Sequence, residues 1–260
     1  MRPVMRAIAR WWFRANGEMR TAIRGKEYRT DPYHIGFWRD VAGGRWEPEL
    51  FDLLDRHLHP GAVYVDIGAW IGPAAIYAAG KCEKVYCLEP DPDAYQYLLW
   101  NLRLNGLGNV TPFNMALSDR SGLRRLSSPD GRLGDSKSTL LEERGRGVGV
   151  DVLCMRWDEW MGLVAPGRID LIKIDIEGGE FTLIPTMREY LRREAPTLLL
   201  SLHAPLIPET SRERELDNVL DAIRHYATIQ DETGNRIGVD ELRGLAMTRL
   251  CSVILSKNSR

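Results

Sequence analysis

The stretch VYVDIGAWIG (residues 63–72), followed by LEPD (residues 88–91), decides the fold class of this 260-residue chain. An apolar run that ends in an acid and two glycines reads as a buried strand turning sharply into a helix. The run KVYCLEP then ends in a second acid about twenty residues further on, the arrangement in which one carboxylate holds the ribose hydroxyls of a nucleoside cofactor. Gly68 and Gly72 remove side chains where the backbone must turn and a ligand must approach, and the next helix offers unpaired N–H groups. The spacing is GxxxG, not the GxGxxG of most nicotinamide enzymes. Asp66 precedes the first glycine, where a carboxylate would repel a pyrophosphate. S-adenosylmethionine, cationic at sulfur and nitrogen and free of phosphate, fits that polarity better than NAD.

Outward from this centre, strands and helices alternate. Strands are expected over 62–67, 84–88, 110–115, 169–174, 197–202 and 248–255, and helices over 48–58, 93–105, 181–193 and 211–226. Pro73 suits a first helical turn and Gly80 a helix stop. The segment 118–149 is rich in Gly, Ser and Arg and reads as an irregular insertion or a hairpin. The pattern is doubly wound α/β. We expect a basic aromatic N-terminal extension, residues 1–45, followed by one domain over 46–260.

A formal net charge of -1 gives no global attraction to nucleic acid, which is therefore not expected as a partner. Cys82, Cys87, Cys154 and Cys251 form no CxxC pair, so a reduced, cytoplasmic chain without a cysteine-based metal site is expected. No apolar stretch approaches the roughly 20 residues that span a bilayer, and no secretory signal is evident. In residues 1–30, eight arginines and lysines face only Glu18 and Glu27. Arg2, Arg6, Arg10 and Arg14 recur every four residues on a helix that would also carry Trp11, Trp12 and Phe13. Such an arm docks on the body or makes a peripheral membrane contact. Oligomeric state cannot be read from these residues.

The motifs WEPEL (46–50), VDIGAWIG, LEPDP, the Asn105-Gly106-Leu107 turn, ALSDRSG (116–122), VDVLCMRWDEW (150–160) and IDLIKIDIEGGE (169–180) occur in one order. In that order the chain, over about 46–203, resembles the FkbM-type S-adenosylmethionine-dependent methyltransferases, a branch of the class I Rossmann-like methyltransferases. The resemblance implies a seven-stranded sheet with the last strand antiparallel and the cofactor at the carboxyl ends of the first two strands. Asp66, Gly68, Ala69 and Gly72 would line its methionine and ribose end, Glu89 would hold the ribose hydroxyls, and Asn114, Met115 and Ala116 would lie near the adenine. Asp175 would sit beside the cofactor and the acceptor. The family is associated with O-methylation of hydroxyls on polyketides, sugars and glycolipids. Trp70 stands where the family usually has asparagine, and Ser201 where many members have an acid.

Lys173, Asp175 and Glu177 are two residues apart, so a strand would aim them to one side, tolerable only where they converge at its carboxyl edge. His203 closes LLLSLH, a strand that should end on the same edge. Methyl transfer to oxygen gains from alignment and from a base that removes the proton. His203, or else Asp175 or Glu177, is the expected base. A magnesium ion held by Asp175 and Glu177 is the competing mechanism. Glu180 is read as an acid favouring a helix N-terminus. DIEG stands where exocyclic base methylases carry an Asn/Asp-Pro-Pro-aromatic tetrapeptide. The expected acceptor is a small-molecule or saccharide hydroxyl, and Arg124, Arg125, Arg132, Lys137, Arg144 and Arg146 of the insertion are candidates to grip an anionic part of it. A catalytically degenerate binding module is the alternative.

Overall fold

The computed structural model describes residues 15–129, 131–141 and 149–257. A hairpin of β1 (Met19–Ile23) and β2 (Lys26–Thr30) leads into α1 (Ile35–Ala42) and α2 (Pro48–His57). The expected alternation follows: β3 (Val63–Ile67), α3 (Pro73–Ala78), β4 (Lys84–Leu88), α4 (Pro92–Leu104) and β5 (Val110–Phe113). Then come β6 (Ala116–Ser118), β7 (Gly122–Ser127), β8 (Gly149–Arg156) and α5 (Trp157–Val164). The chain continues through β9 (Leu171–Ile174), α6 (Glu180–Glu194), β10 (Thr197–Leu202), α7 (Glu209–Ile223), β11 (Thr228–Asp231), α8 (Val239–Thr248) and β12 (Cys251–Ser256).

The main sheet has seven strands in the order β11-β12-β10-β9-β3-β4-β5. β12, the last in the chain, runs antiparallel to both neighbours, and β3, β4, β5, β9 and β10 are parallel. Side-chain alternation along each strand feeds two cores. Val65, Ile172, Leu200 and Val253 pack under α5, α6, α7 and α8. Tyr64, Leu171, Leu199 and Ile254 pack on the other face, under α2, α3 and α4.

The expected N-terminal extension is built into that second core from Met19 onward: Met19, Ile23, Tyr28, Ile35, Trp38 and Val41 share it with Leu54, Ile76 and Leu98. Asp31, fully buried, fastens it. Its carboxylate accepts from the backbone N–H of Tyr33 and His34, from Trp38 Nε1 and from Asn101 Nδ2 on α4. Asn101 also donates to Ile71 O in the glycine loop, so the hairpin braces that loop through two side chains. The arginine helix expected around Trp11, Trp12 and Phe13 lies outside the described residues.

The strand expected over 110–115 is broken at Asn114, whose Nδ2 donates to Glu89 O and Pro90 O. β5 stays in the main sheet, while β6 pairs parallel with β8 in a separate three-stranded sheet completed by β7. The insertion is thus a hairpin, β7 on β8. The final strand begins at Cys251 because α8 runs on through Thr248. Among the described residues, no helix is long and apolar enough to cross a membrane.

Candidate active site

The carboxyl ends of β3, β4 and β9 lie side by side and deliver Asp66, Glu89 and Asp175 to one edge. Gly68 lets the loop after β3 pass under β9. It has φ +86°, and a Cβ there would stand 1.9 Å from the Asp175 carbonyl oxygen. Two cavities meet along this edge, and both are lined by Gly68, Trp70, Asp175 and Glu177.

The first is an apolar cleft between Glu89 and the side chains of Met115, Leu117, Leu126 and Leu140, with Ala116 in its wall. Both Glu89 oxygens accept backbone N–H groups, Oε2 from Trp70 and Oε1 from Asp91 at 2.8 Å each. A carboxylate retains further lone pairs, so Glu89 can still receive two hydroxyls. Burial raises its pKa to about 7 against the opposing pull of those N–H groups. The segment 134–139 lies over this cleft. Gly134 N and Ser138 Oγ donate to Asp91 Oδ2, Trp70 Nε1 donates to Gly134 O, and Thr139 Oγ1 donates to Glu177 O.

The second cavity, about 230 Å³, is polar and is lined by Glu47, Asp66, Ala69, Lys173, Ser201, His203 and Glu232 among others. Asp66 is fully buried, and neither of its oxygens accepts a hydrogen bond from a described residue. Among the described residues its one cation is Lys173, with Nζ 3.4 Å from Asp66 Oδ1 and 3.5 Å from Asp175 Oδ2. Burial disfavours the Lys173 charge, but Asp66, Asp175 and Glu47 outweigh it and hold the ammonium charged.

His203 ends β10 as expected. Its backbone N donates to Glu180 Oε1, and its Nδ1 lies 3.1 Å from the same oxygen. Nε2 faces Asp175 Oδ1 at 3.6 Å and Glu177 Oε2 at 3.9 Å. Burial alone would keep the ring neutral, yet the Glu180 bond and the three carboxylates raise its pKa to about 9. At neutral pH the ring is an imidazolium, a donor and not a proton acceptor. Glu180 does more than favour a helix start: its other oxygen accepts Gly178 N, so it fixes both the loop after β9 and the histidine.

The structure brings together Asp66, Gly68, Ala69, Glu89, Met115, Ala116, Asp175, Glu177 and His203. Gly72 and Asn114 line neither cavity. Gly72, at φ +88°, opens α3 where a Cβ would strike Leu98, and Asn114 braces the β4 loop. Among the described residues no three His, Cys, Asp or Glu side chains are placed to share a metal ion. Asp175 and Glu177, the magnesium ligands of the competing mechanism, face Lys173 and His203. Of the insertion cations, Arg124 pairs with Asp119 and Arg125 with Asp151. Arg132 lines an outer cleft with His34, Trp70 and Tyr97, and Arg144 and Arg146 lie outside the described residues. Ser201 hydrogen-bonds Ser252 across the β10–β12 pair. Sequence reasoning assigned no role to Glu47, Asp91 or Glu232. The first two stand inside the WEPEL and LEPDP motifs, which was the available signal.

Residues 66–228 match the family model of the methyltransferase FkbM domain. The tRNA(Phe) (4-demethylwyosine(37)-C(7)) aminocarboxypropyltransferase of Methanocaldococcus jannaschii is 35% identical over 120 residues, 41% of this chain and 47% of that one. The methyltransferase sdnD of Sordaria araneosa is 28% identical over 169 residues, 54% of this chain and 64% of that one. The chain thus spans less than two thirds of either relative. The solved structure of the methyltransferase FkbM from Methylobacillus flagellatus KT overlays 97% of this chain and 59% of its own, at 18% identity and a TM-score of 0.47. With its sheet order and a family match over more than half of its length, the chain belongs to the FkbM-domain methyltransferases, of class I, Rossmann-like fold.

Proposed function

We propose that this protein moves a methyl group from S-adenosylmethionine to a hydroxyl of a small-molecule or saccharide acceptor. The observation that carries this reading is the meeting of an apolar cleft and an acid-lined cavity at Gly68, Asp175 and Glu177. The residues fit the cofactor. Asp66 presents a buried carboxylate without a hydrogen-bond donor, suited to an ammonium group, and Gly68 leaves the space a Cβ would fill. Glu89 keeps lone pairs for ribose hydroxyls, and Met115, Ala116 and Leu117 offer an apolar wall to the adenine. When bound, the cofactor supplies a methyl group activated by a positively charged sulfur. The chain's residues align the acceptor against it. His203, kept charged beside Asp175 and Glu177, can donate from Nε2 toward the acceptor oxygen, and Lys173 holds Asp66 and Asp175 in place.

A polyanionic acceptor is disfavoured by the carboxylates of Glu47, Asp66, Asp175, Glu177 and Glu232 around the second cavity. Trp70 leaves neither of its N–H groups unpaired, the backbone one donating to Glu89 and the indole one to Gly134 O. Four buried, unpaired cysteines suit a cytoplasmic location. The test is calorimetric titration with S-adenosylmethionine and S-adenosylhomocysteine, with Glu89→Ala as control, followed by mass-spectrometric detection of O-methyl products from a panel of hydroxylated saccharides and small molecules. Cofactor binding lost in the variant, with a methylated hydroxyl product, is expected. Binding without transfer to any acceptor would refute the reading in favour of a binding module, and transfer to RNA would refute the acceptor class.

A further inference from the structure

Glu47 belongs to the WEPEL motif, and its carboxylate helps to hold Lys173 charged from across the cavity. Its conformation is unusual: φ is +37° at a non-glycine residue that precedes a proline, a position where the chain prefers to be extended. It does not cap α2 with its side chain. Instead it stands in the wall of the polar cavity and of an extension of about 180 Å³, beside Lys173, Asp175, Ser201 and Glu232.

The other acids of that cavity are engaged. Asp66 and Asp175 share Lys173, and Asp175 and Glu177 face His203. Glu232 accepts Ser252 N. The Glu47 carboxylate makes no hydrogen bond or ion pair with a described residue, and Arg24 Nη2, which reaches the start of α2, bonds Pro48 O instead. Glu47 is an exposed residue, so water also reaches it. Even so, loss of water to the cavity walls, then Asp175, Asp66 and Glu232, raise its pKa to about 7 against the opposing pull of Lys173. A strained acid without a partner, facing a reaction cavity, matches what a general base requires.

Resting on the methyl-transfer reading above, we propose that Glu47 is the base that takes the proton of the acceptor hydroxyl. The O–H proton passes to a Glu47 oxygen while the acceptor oxygen bonds to the methyl carbon. The carbon–sulfur bond breaks with its electron pair kept by sulfur, leaving a neutral thioether and a methyl ether.

The test uses the full chain and two probes, S-adenosylmethionine and S-adenosylhomocysteine, titrated calorimetrically between pH 6 and 8.5. Ionised Glu47 attracts the sulfonium but not the thioether. The affinity ratio of the two probes therefore rises on the order of tenfold across this range in the natural protein, as for unit charges about 10 Å apart at an effective dielectric constant of about 20. Glu89, which titrates near 7 in the same cofactor cleft, adds to the rise in the natural protein and in the Glu47 variants alike, so the Glu47 contribution is read as the difference between their profiles. Glu47→Gln removes about a tenfold share of the rise, Glu47→Asp restores part of it, and with the acceptor found by the screen Glu47→Gln lowers kcat by at least about a hundredfold. An unchanged ratio profile or an unchanged kcat in Glu47→Gln overturns the assignment. Binding of neither probe by the natural protein instead removes the methyl-transfer reading, and this proposal with it.

Discussion

Replacing His203 by glutamine should cost much more stability in mild acid than in alkali. The ring is 6% exposed, so solvent screens its partners little. Its pKa rises from 6.5 for an ordinary imidazole to about 9 in the fold, and at about 1.4 kcal/mol for each pH unit the charged form contributes about 3 kcal/mol. The sign follows from the direction. A raised pKa means that the folded state holds the proton more tightly, so the contribution is complete below about pH 6.5 and fades as pH rises through about 9. Urea unfolding of the natural protein and of His203→Gln at pH 6.5 and 9.5 measures it as a difference of differences. The buried thiols, Cys82 and Cys251 among them with pKa values pushed up to about 11, also lower stability in alkali, but they are common to both proteins and cancel. The penalty for His203→Gln should be about 3 kcal/mol larger at pH 6.5. An equal penalty at both pH values would show that Glu180, Asp175 and Glu177 do not hold an imidazolium, and His203 would return as a candidate base.

Gly68→Ala places a methyl group 1.9 Å from the Asp175 carbonyl oxygen at φ +86°, and it should abolish S-adenosylhomocysteine binding and lower the melting temperature. Retained binding would mean that the loop after β3 does not need this close approach. Because Glu89 has a pKa near 7, affinity for both S-adenosylmethionine and S-adenosylhomocysteine should rise with pH through that value. Glu89→Gln should bind both about 10 to 100-fold more weakly, with that rise removed, as calorimetry would read. Asp31→Ala leaves four donors around α1 and α4 without their acceptor and should cost about 3–5 kcal/mol in urea unfolding. A loss below about 1 kcal/mol would mean that the N-terminal hairpin is not fastened through this carboxylate.

Much of the frame was legible because strong local signals and the tertiary fold agree. The apolar runs ending at Asp66, Glu89 and Asp175 are buried strands, and Pro73 marks a helix start that the structure keeps, while the helix expected from 93 starts one residue earlier, at Pro92, capped by Asp91. The β11 and α8 pair was missed because QDETGNR reads as loop and β11 is only four residues long, half of them partly exposed. The hairpin and α1 read as an extension because the basic charge of residues 1–30, eight arginines and lysines against two glutamates, overshadows their burial pattern. The informative pattern was the alternation in MRTAI, which buries Met19, Thr21 and Ile23. The acids at the site were legible as residue types at strand ends, but their partnerships were not. Whether Glu180 or Glu177 bonds His203 depends on how the loop after β9 turns, and that turn is set by Gly178 at φ +100° and Glu177 at φ +50°.

The strain in this backbone is distributed with a purpose that the sequence conceals. Six described non-glycine residues have positive φ. Ala165 and Ala195 end helices, where such a conformation is ordinary, and Arg24 turns the first hairpin. The other three, Glu47, Trp70 and Glu177, come from separate segments and all line the polar cavity. Each conformation costs on the order of 1–3 kcal/mol, so each must be held by contacts elsewhere. Trp70 is held by Glu89 and Gly134 through its two N–H groups, and Glu177 by Thr139. For Glu47 the support comes through the hairpin, where Arg24 grips Pro48 O and Phe37 of α1 packs edge-on against Trp46. The N-terminal hairpin and α1, which lie outside the main sheet, therefore hold in place the one acid of the cavity that has no hydrogen-bond or ion-pair partner among the described residues.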